Sequence, residues 1–406
     1  MNKFARIKKI ILWTVIGLLS FIGVFLIVLF LLYPPEFVIR SLKPLGGDAT
    51  AYDYKIFPER QLKASPNLFS FPKQLNETGI RLLFESIPKI KDLDTFLTDT
   101  GTQAFIVIKD DVLLYEKYFN ETQRDSIVTS FSVAKSIASA LIGIAIHEGF
   151  IKSVNDPITN YLPELSKRDV RFSNITIRHL LLMSSGMRYQ EEGAFFWKDD
   201  GNLTYRYPNL RELAIKNTEI IESPGEHFLY NCYHPLLLGL ILERTTGKTV
   251  TDYLQEKIWN PLGMEFGGSW SLDSESSGFE KMESGINARA IDFAKIGRLF
   301  LNQGNWNGIQ VIPAEWVNES TQPDKAMKLS DTDYYAYMWW GIRRNPSGYD
   351  FFALGNLGQI IYVSPDKNLI IVRHGEKYGL EGEGFEWAKI FYQIASKGLS
   401  INKYSN

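Results

Sequence analysis

A long apolar run headed by Ser132-Val-Ala-Lys135 is the strongest constraint on how this chain folds. The run continues to Gly149 and is apolar nearly all round, which predicts a buried α-helix. Residues three apart lie on one helix face about one turn apart, so Ser132 and Lys135 are held side by side. The helix start disfavours a protonated amine. This pair suits a serine nucleophile with a lysine base; the alternative is Ser132 as an N-cap with Lys135 in solvent.

The Ser-x-x-Lys spacing occurs elsewhere, and its surroundings separate the copies. It also begins at Ser70, Ser86, Ser364 and Ser400. The first three contain a proline, which opposes a continuing helix, and the last lies in a polar tail. In the sequence, only the copy at Ser132 leads a long apolar helix.

Charge and cysteine content exclude several classes of protein. A net charge of −2 lacks the basic excess with which nucleic-acid-binding domains neutralise phosphates. The single cysteine, Cys232, excludes an internal disulfide and a cysteine-based zinc site, and the five histidines are scattered. We therefore expect no metal site and no nucleic-acid partner.

An uncharged, mostly apolar run of 24 residues, 10–33, lies near the start of the sequence. About 20 apolar residues span a bilayer as a helix. Four basic residues precede the run and Pro34-Pro35 follows it, whereas a cleaved signal peptide has a shorter apolar core and small residues at its cleavage site. We expect a single-pass membrane anchor with a cytoplasmic amino terminus and an extracytoplasmic domain, periplasmic or at the cell surface.

Strand patterns occur at both ends of the remaining sequence, and helical patterns lie between them. Strands are predicted at 104–109, 112–119, 349–354, 359–363 and 369–373, the first two as a hairpin. Helices are predicted at 177–183, 235–243, 250–259, 290–302 and 384–397. This order predicts an α+β fold in which distant segments form one sheet, with an inserted helical subdomain at about 155–300 and a cleft where the two meet.

The same patterns predict three parts of the chain. Residues 1–35 are expected to form the basic tip and membrane anchor. Residues 36–100 are expected to be an irregular membrane-proximal segment with a short helix near 90–97. Residues 101–397 are expected to form the catalytic domain.

Several motifs together resemble those of a known family. They are Ser132-x-x-Lys135, the segment 175–186 (ITIRHLLLMSSG), Pro224-Gly-x-x-Phe-x-Tyr230, the segment 287–297 (NARAIDFAKIG), Trp339-Trp-Gly341 and Gly355-Asn-Leu-Gly-Gln359. In this order they are similar to the serine β-lactamase-like hydrolases of the class C branch, which include D-Ala-D-Ala carboxypeptidases, esterases and 6-aminohexanoate-oligomer hydrolases. The resemblance covers about 103–395 and implies a β-lactamase/transpeptidase-like fold, an antiparallel sheet flanked by helices.

The resemblance implies the roles of the central residues. Ser132 would be the acylated nucleophile, Lys135 its neighbouring base, and Tyr230 the tyrosine of the family's Tyr-x-Asn motif, which passes protons between nucleophile, leaving group and water. The third position of that motif is Cys232 here, and a thiol hydrogen-bonds only weakly. Asn231 is the candidate substrate contact in its place, although adjacent residues usually face apart, and Cys232 is expected to be a small packing residue.

The third family motif, Lys-Thr-Gly or His-x-Gly, is replaced here by Asn356-Leu-Gly358. The resemblance implies that Asn356 and Gly358 contact the substrate, since glycine permits close approach to the strand. It also implies an oxyanion hole formed by the backbone N–H groups of Ser132 and Gln359.

The replaced motif lacks the cation that would pair with a substrate carboxylate. Arg343, Arg344 and Arg373 are the nearby candidates for such a cation, and each is expected to be a solvated charge at a strand end. His374 is expected to lie at the far end of the last strand from Gln359, and it is given no role.

The segment 187–207 is dense in aromatic and acidic residues. We expect it to be a pocket rim or lid in which Trp197 covers an apolar substrate, with a self-packed surface loop as the alternative.

The expected function is hydrolysis of a neutral amide or ester, small or a short oligomer, through an acyl-enzyme and without a cofactor. A D-alanyl peptide carboxypeptidase or weak β-lactamase is the enzymatic alternative. A non-catalytic penicillin-binding-like receptor is the alternative of another class. The expected partners are the substrate and the membrane.

Overall fold

The computed structural model describes residues 3–42, 49–191, 193, 195–344 and 348–398. Internal contacts divide the chain into a smaller unit, Met1–Asp48 with Gln190–Pro208, and a larger unit, Ala49–Tyr189 with Asn209–Asn406. The segment 190–208 thus interrupts the larger unit in sequence while belonging to the smaller one.

The strands all lie in the larger unit. They are β1 (Glu59–Leu62), β2 (Thr102–Lys109), β3 (Val112–Tyr118), β4 (Val128–Thr129), β5 (Gly268–Ser271), β6 (Ile286–Ala288), β7 (Asn305–Trp306), β8 (Ile309–Gln310), β9 (Met327–Lys328), β10 (Asp333–Ala336), β11 (Trp339–Arg343), β12 (Tyr349–Gly355), β13 (Gln359–Ser364) and β14 (Leu369–Gly375).

The helices belong to both units. They are α1 (Lys3–Leu32), α2 (Pro35–Leu42), α3 (Glu77–Glu85), α4 (Leu93–Asp99), α5 (Val133–His147), α6 (Pro163–Arg168), α7 (Ile177–Leu181), α8 (Asp200–Arg206), α9 (Leu210–Lys216), α10 (Tyr233–Thr246), α11 (Val250–Leu254), α12 (Ala290–Leu301), α13 (Ala314–Thr321) and α14 (Glu383–Lys397). Of these, α1, α2 and α8 lie in the smaller unit.

Within the described residues, the main sheet of the larger unit has eight strands in the order β3-β2-β14-β13-β12-β11-β10-β9, with antiparallel pairing throughout. Strands β2 and β14, which are far apart in sequence, therefore lie side by side. This confirms the predicted hairpin, the three later strands and the sheet built from distant segments.

Side-chain alternation along the central strands creates two apolar faces. On one face, Ile360 and Tyr362 join the core made with α3, α4 and α14. On the other face, α12 packs so closely that a Cβ added at Gly297 would lie 2.8 Å from Ile370 and 3.0 Å from Ile361. The sheet is therefore covered by helices on both sides.

Two parts of the sequence contain more regular structure than expected. A second sheet, β1-β5-β6-β4, brings strands into residues 36–100 and into the predicted helical region 155–300. Its strands are only two to four residues long, too short for an alternating pattern to be visible. The helix near 90–97 is present as α4, and α3 was not anticipated.

Candidate active site

Ser132 and Lys135 lie in contact at the start of α5. Lys135 Nζ donates a hydrogen bond to Ser132 Oγ at 2.8 Å and another to the Glu283 carbonyl at 2.7 Å. Lys135 is 1% exposed, whereas Ser132 is partly exposed. Ser132 occupies the N-cap position but makes no capping hydrogen bond through its side chain, and Lys135 is buried and not in solvent as the alternative required. The hydroxyl is open to a substrate while its partner is sealed from water.

Tyr230 completes the cluster from the loop before α10. Its ring stacks on Trp340 at 5.7 Å and meets Tyr335 edge-on at 6.3 Å, and the Lys135 ammonium lies 5.0 Å from the ring centroid. The Tyr230 hydroxyl is close enough to Ser132 and Lys135 for both residues to influence its pKa. The fold thus brings together the three residues that the resemblance implies.

The protonation of this cluster follows from burial and charge. Burial raises the pKa of Tyr230, and the attraction of the Lys135 ammonium opposes this only in part. Burial lowers the pKa of Lys135, but interactions with Cys232, Tyr230 and Glu283 outweigh it, so the pKa of Lys135 is raised. Lys135 therefore rests as an ammonium and Tyr230 as a phenol, and the coupled pair must lose one proton to act as a base.

Sequence reasoning missed the loop 280–285, which positions Lys135. Trp270 Nε1 donates to the carbonyls of Lys281 and Ser284, both at 3.0 Å. The buried pair of Lys281 and Glu283, 2.9 Å apart, fixes the loop further, so that the Glu283 carbonyl faces Lys135. No periodic or motif signal marks these residues.

An aromatic wall beside Tyr230 was also missed. Phe228 packs on Tyr335 at 5.1 Å and on Trp340 at 5.9 Å, and Trp340 stacks on Tyr230. Phe228 and Trp340 occur in the motifs quoted above, which was the available signal. The wall offers an apolar surface without charge.

The replaced third motif lies next to Ser132. A Cβ added at Gly355 would lie 2.5 Å from the Ser130 carbonyl and 3.1 Å from Ser132 N, so only glycine lets β12 end this close to the nucleophile. Asn356 follows directly and is partly exposed. Its Oδ1 accepts hydrogen bonds from Leu357 N at 3.0 Å and from the Tyr378 hydroxyl.

The backbone N–H of Gln359, the expected oxyanion donor, already makes a hydrogen bond within the protein. Its backbone N–H donates to the Asn356 carbonyl, within the turn that spans Asn356–Gly358. Its side chain is fully buried and bonds to the backbone of Gly375 and to His374 Nδ1, the latter at 3.0 Å. The expectation that His374 lies far from Gln359 is wrong, because antiparallel pairing returns the end of β14 to the start of β13.

Arg373 is not the solvated charge that was expected. It is fully buried, and no carboxylate within the described residues lies at ion-pair distance from it. Burial lowers its pKa to about 9, so it remains charged at neutral pH. Its guanidinium donates to five acceptors at 2.8–3.1 Å, namely Thr100 O, Thr102 Oγ1, Leu357 O, Gly358 O and Lys377 O.

Arg373 also supplies a reason for Gly358 that does not involve the substrate. Gly358 has a φ of +77°, and a Cβ there would lie 2.5 Å from Arg373 Nη1. Arg344 pairs with Asp350, and Arg343 donates to the Pro323 carbonyl at 3.1 Å. The three arginines are therefore engaged within the protein.

Arg373→Ala is expected to destabilise the larger unit by about 3 kcal/mol or more, because it leaves a cavity and orphans buried carbonyls. Thermal unfolding should show a lower midpoint. Arg343→Ala, at a partly exposed position with one backbone acceptor, is the matched control and should change the midpoint little. Equal midpoints for the two variants would contradict the structural role of Arg373.

Asn231 and Cys232 face different surroundings. Asn231 is fully buried, its amide donates to the Met187 carbonyl at 3.3 Å, and its oxygen accepts from Tyr233 N at 2.9 Å. This placement argues against the expected contact between Asn231 and substrate. Cys232 is partly exposed and near enough to Lys135 to influence its pKa, and its expected role as a small packing residue stays a prediction.

Trp197 is the predicted site residue that lies outside the larger unit. Its ring packs on Phe25 at 5.9 Å and on Tyr33 at 6.3 Å, within the smaller unit. These contacts account for the aromatic character of its segment without a substrate.

Comparisons with known proteins agree with this architecture. The sequence matches the Beta-lactamase family over residues 94–388. The 6-aminohexanoate-dimer hydrolase of Paenarthrobacter ureafaciens is 25% identical over 310 residues, which cover 70% of this chain and 75% of that protein.

Two solved structures share the fold. A provisionally named 6-aminohexanoate-dimer hydrolase from Bacillus anthracis is 22% identical with a TM-score of 0.73, over 86% of this chain and 92% of that one. A class C β-lactamase is 14% identical with a TM-score of 0.59, over 82% and 99%. These likenesses confirm the expected fold class.

Proposed function

The chain belongs to the Beta-lactamase family and is a serine hydrolase of that family, and from this premise we propose that it cleaves a neutral amide or ester through an acyl-enzyme on Ser132. The observation that carries the proposal is the sealed Lys135 ammonium 2.8 Å from the partly exposed Ser132 hydroxyl. A binding protein has no chemical need for this arrangement.

In the proposed mechanism, the pair of Lys135 and Tyr230 first loses one proton. The resulting base takes the proton of Ser132 as Oγ attacks the substrate carbonyl, and the same proton then passes to the leaving alcohol or amine. Water, deprotonated by the same pair, attacks the acyl-enzyme, releases the acid and restores Ser132. Lys135 stays within hydrogen-bond distance of Oγ throughout.

We propose that an oxyanion hole forms at this site, and the structure adds one requirement for its formation. The N–H groups of Ser132 and Gln359 would bind the developing oxyanion, but the Gln359 N–H donates to the Asn356 carbonyl in the structure. The turn at Asn356–Gly358 must therefore open, or share this N–H, when the substrate binds. Asn356 and Gly358 form part of that turn, and in this proposal they contact the substrate from it.

The proposed substrate class rests on the aromatic wall and on the engagement of the three nearby arginines within the protein. Phe228, Tyr335 and Trp340 present aromatic surface next to Tyr230. Arg343, Arg344 and Arg373 are engaged elsewhere, so none of them is placed to receive a substrate carboxylate. An uncharged acyl group fits this site, and the relative named as a 6-aminohexanoate-dimer hydrolase supports an amide as the bond that is cleaved.

We further propose that α1 anchors the chain in a membrane. Its stretch Arg6–Leu32 is long and apolar enough to span a bilayer, and a signal sequence would satisfy the same criterion. Basic residues before the apolar run favour a cytoplasmic amino terminus and an extracytoplasmic hydrolase domain. The division into an anchor at 1–35, a membrane-proximal segment at 36–100 and a hydrolase domain at 101–397 belongs to the same proposal.

Intact-mass spectrometry of the full chain in detergent tests the proposed substrate class. We expect a fluorophosphonate to add once to Ser132, p-nitrophenyl acetate and a linear neutral amide to turn over, and a penicillin to leave no lasting adduct. A long-lived penicilloyl adduct would favour the cell-wall carboxypeptidase. Absence of any adduct would favour the non-catalytic receptor and contradict the proposal.

A further inference from the structure

The smaller unit contains a second apolar element besides α1, the aromatic segment Phe195–Trp197. Phe195 is 51% exposed, although its ring stacks flat on Trp197 with centroids 4.7 Å apart and an interplanar angle of 8°. Phe196 meets Trp197 edge-on at 4.9 Å. Among the described residues, this cluster of three rings leaves one apolar face exposed.

The aromatic segment lies against the last two turns of α1. Trp197 contacts both Phe25 and Tyr33, which are about 12 Å apart along the helix axis. Leu29, between these two, is 3% exposed, whereas Phe21 and Leu31 are 70% and 80% exposed. The segment therefore covers one side of the helix end and leaves the rest of the apolar surface open.

Contacts with α2 hold the segment in this position. Phe196 and Tyr207 both pack on Phe37, at 5.6 and 5.5 Å. Asn202 Nδ2 donates to Ser41 Oγ at 3.0 Å, and Arg40 Nη1 donates to the Arg206 carbonyl at 3.3 Å. The aromatic segment is thus held on α2 through the Phe196 ring, and α8, which follows it, is held there by polar contacts.

We infer that the aromatic segment Phe195–Trp197 inserts into the headgroup region of the bilayer that α1 spans. This inference rests on the proposed membrane anchor. The open apolar surface of α1 requires hydrocarbon around it, and the rings of the aromatic segment continue that surface at the end of the apolar run. Tryptophan and tyrosine are enriched at this depth, because their rings are apolar and their N–H and O–H groups reach water.

Lipid is the proposed occupant of this exposed apolar surface. Phe195 stacks on Trp197, Trp197 packs on Phe25, and Phe25 stacks on the exposed Phe21, so the segment and the helix form one continuous apolar surface. Lys198 follows the three rings directly and is exposed, as a residue at the boundary with phosphate headgroups should be. The chain would then touch the membrane at two separate positions in its sequence, α1 and the aromatic segment.

Tryptophan quenching in the full chain tests the inference. The protein is reconstituted into nanodiscs whose lipids are brominated either near the headgroup or near the chain ends. Trp13 in α1 reports on the anchor and Trp197 on the aromatic segment, each isolated by difference from Trp13→Phe or Trp197→Phe. We expect the Trp197 emission to be quenched more by bromine near the headgroup than by bromine near the chain ends.

Three other outcomes would contradict either the insertion of the aromatic segment or the membrane anchor. Quenching of Trp13 without quenching of Trp197 would overturn the inference and leave the anchor intact, whereas absence of both would overturn the anchor itself. Shielding of Trp197 from both brominated lipid and aqueous acrylamide would point to a protein partner instead.

A second variant tests the insertion without removing the Trp197 ring. Phe195→Asp retains Trp197 and its neighbours on α1 but places a charge in the open surface. It should weaken headgroup-bromine quenching of Trp197 while leaving that of Trp13 unchanged. Unchanged quenching of Trp197 in Phe195→Asp would also contradict insertion of the aromatic segment.

Discussion

Ser132→Ala is expected to lower kcat for the ester and the amide by a factor on the order of 10³ or more, because no covalent intermediate can form without Oγ. The fluorophosphonate adduct should disappear from the intact-mass spectrum. Substrate affinity should change little, since the hydroxyl is a small part of the surface that contacts substrate. Steady-state kinetics and mass spectrometry of the same preparation measure both effects.

Ser139→Ala is the matched control for this variant. Ser139 lies on the same helix, and its buried Oγ has no hydrogen-bond partner among the described residues, so its removal should leave activity and stability close to those of the unaltered chain. If Ser132→Ala retained more than a tenth of the activity while Ser139→Ala was normal, another group would have to be the nucleophile.

Lys135→Met is expected to cause a loss in kcat/KM of a similar order, because nucleophile and base act as a unit. It should also change the dependence of the rate on pH. In the unaltered chain, the raised pKa values of Lys135 and Tyr230 mean that the base form of the pair is scarce at neutral pH. Its fraction grows about tenfold per pH unit, so log kcat/KM should rise with pH at a slope of about one.

The two pH profiles separate a chemical role of Lys135 from a structural one. Loss of the alkaline rise in Lys135→Met, with an unchanged unfolding midpoint, would support the base pair. A Lys135→Met variant that is slower at every pH by the same factor would show that Lys135 only positions Ser132. A rate that falls between neutral and alkaline pH in the unaltered chain would contradict the assigned resting protonation.

The structure also changes how the replaced motifs are understood. The resemblance implies a cation at the position of Asn356, and the nearby Arg373 does not supply one to a substrate, since it faces the carbonyls of Leu357 and Gly358. A buried guanidinium that holds this turn explains why a charged residue occurs in an otherwise apolar strand. Arg373 is therefore a structural cation beside the turn that contains Asn356.

Local patterns predicted the local features correctly. Spacing along one helix placed Ser132 beside Lys135, and alternating apolar residues located the hairpin of β2 and β3 and the strands β12, β13 and β14. The apolar run near the start of the sequence predicted α1. Such features are visible because helix and strand periodicity repeat within a few residues.

The resemblance extended the prediction to Tyr230, which no periodicity connects with Ser132. It did not predict the placement of Asn231, whose amide turns into the core, or of Trp197, whose ring packs on α1. In both cases the residue type suggested a substrate contact, and the available neighbours decided otherwise.

The sequence by itself determined the α+β class, the apolar helix and the pairing of Ser132 with Lys135, since each depends on residues that are neighbours along the chain. Only the tertiary structure decided that the Glu283 carbonyl holds Lys135, that His374 lies beside Gln359 and that Arg373 is buried behind the turn. These contacts join segments far apart in sequence. Their geometry depends on strand order and register, which backbone hydrogen bonding and core packing set together.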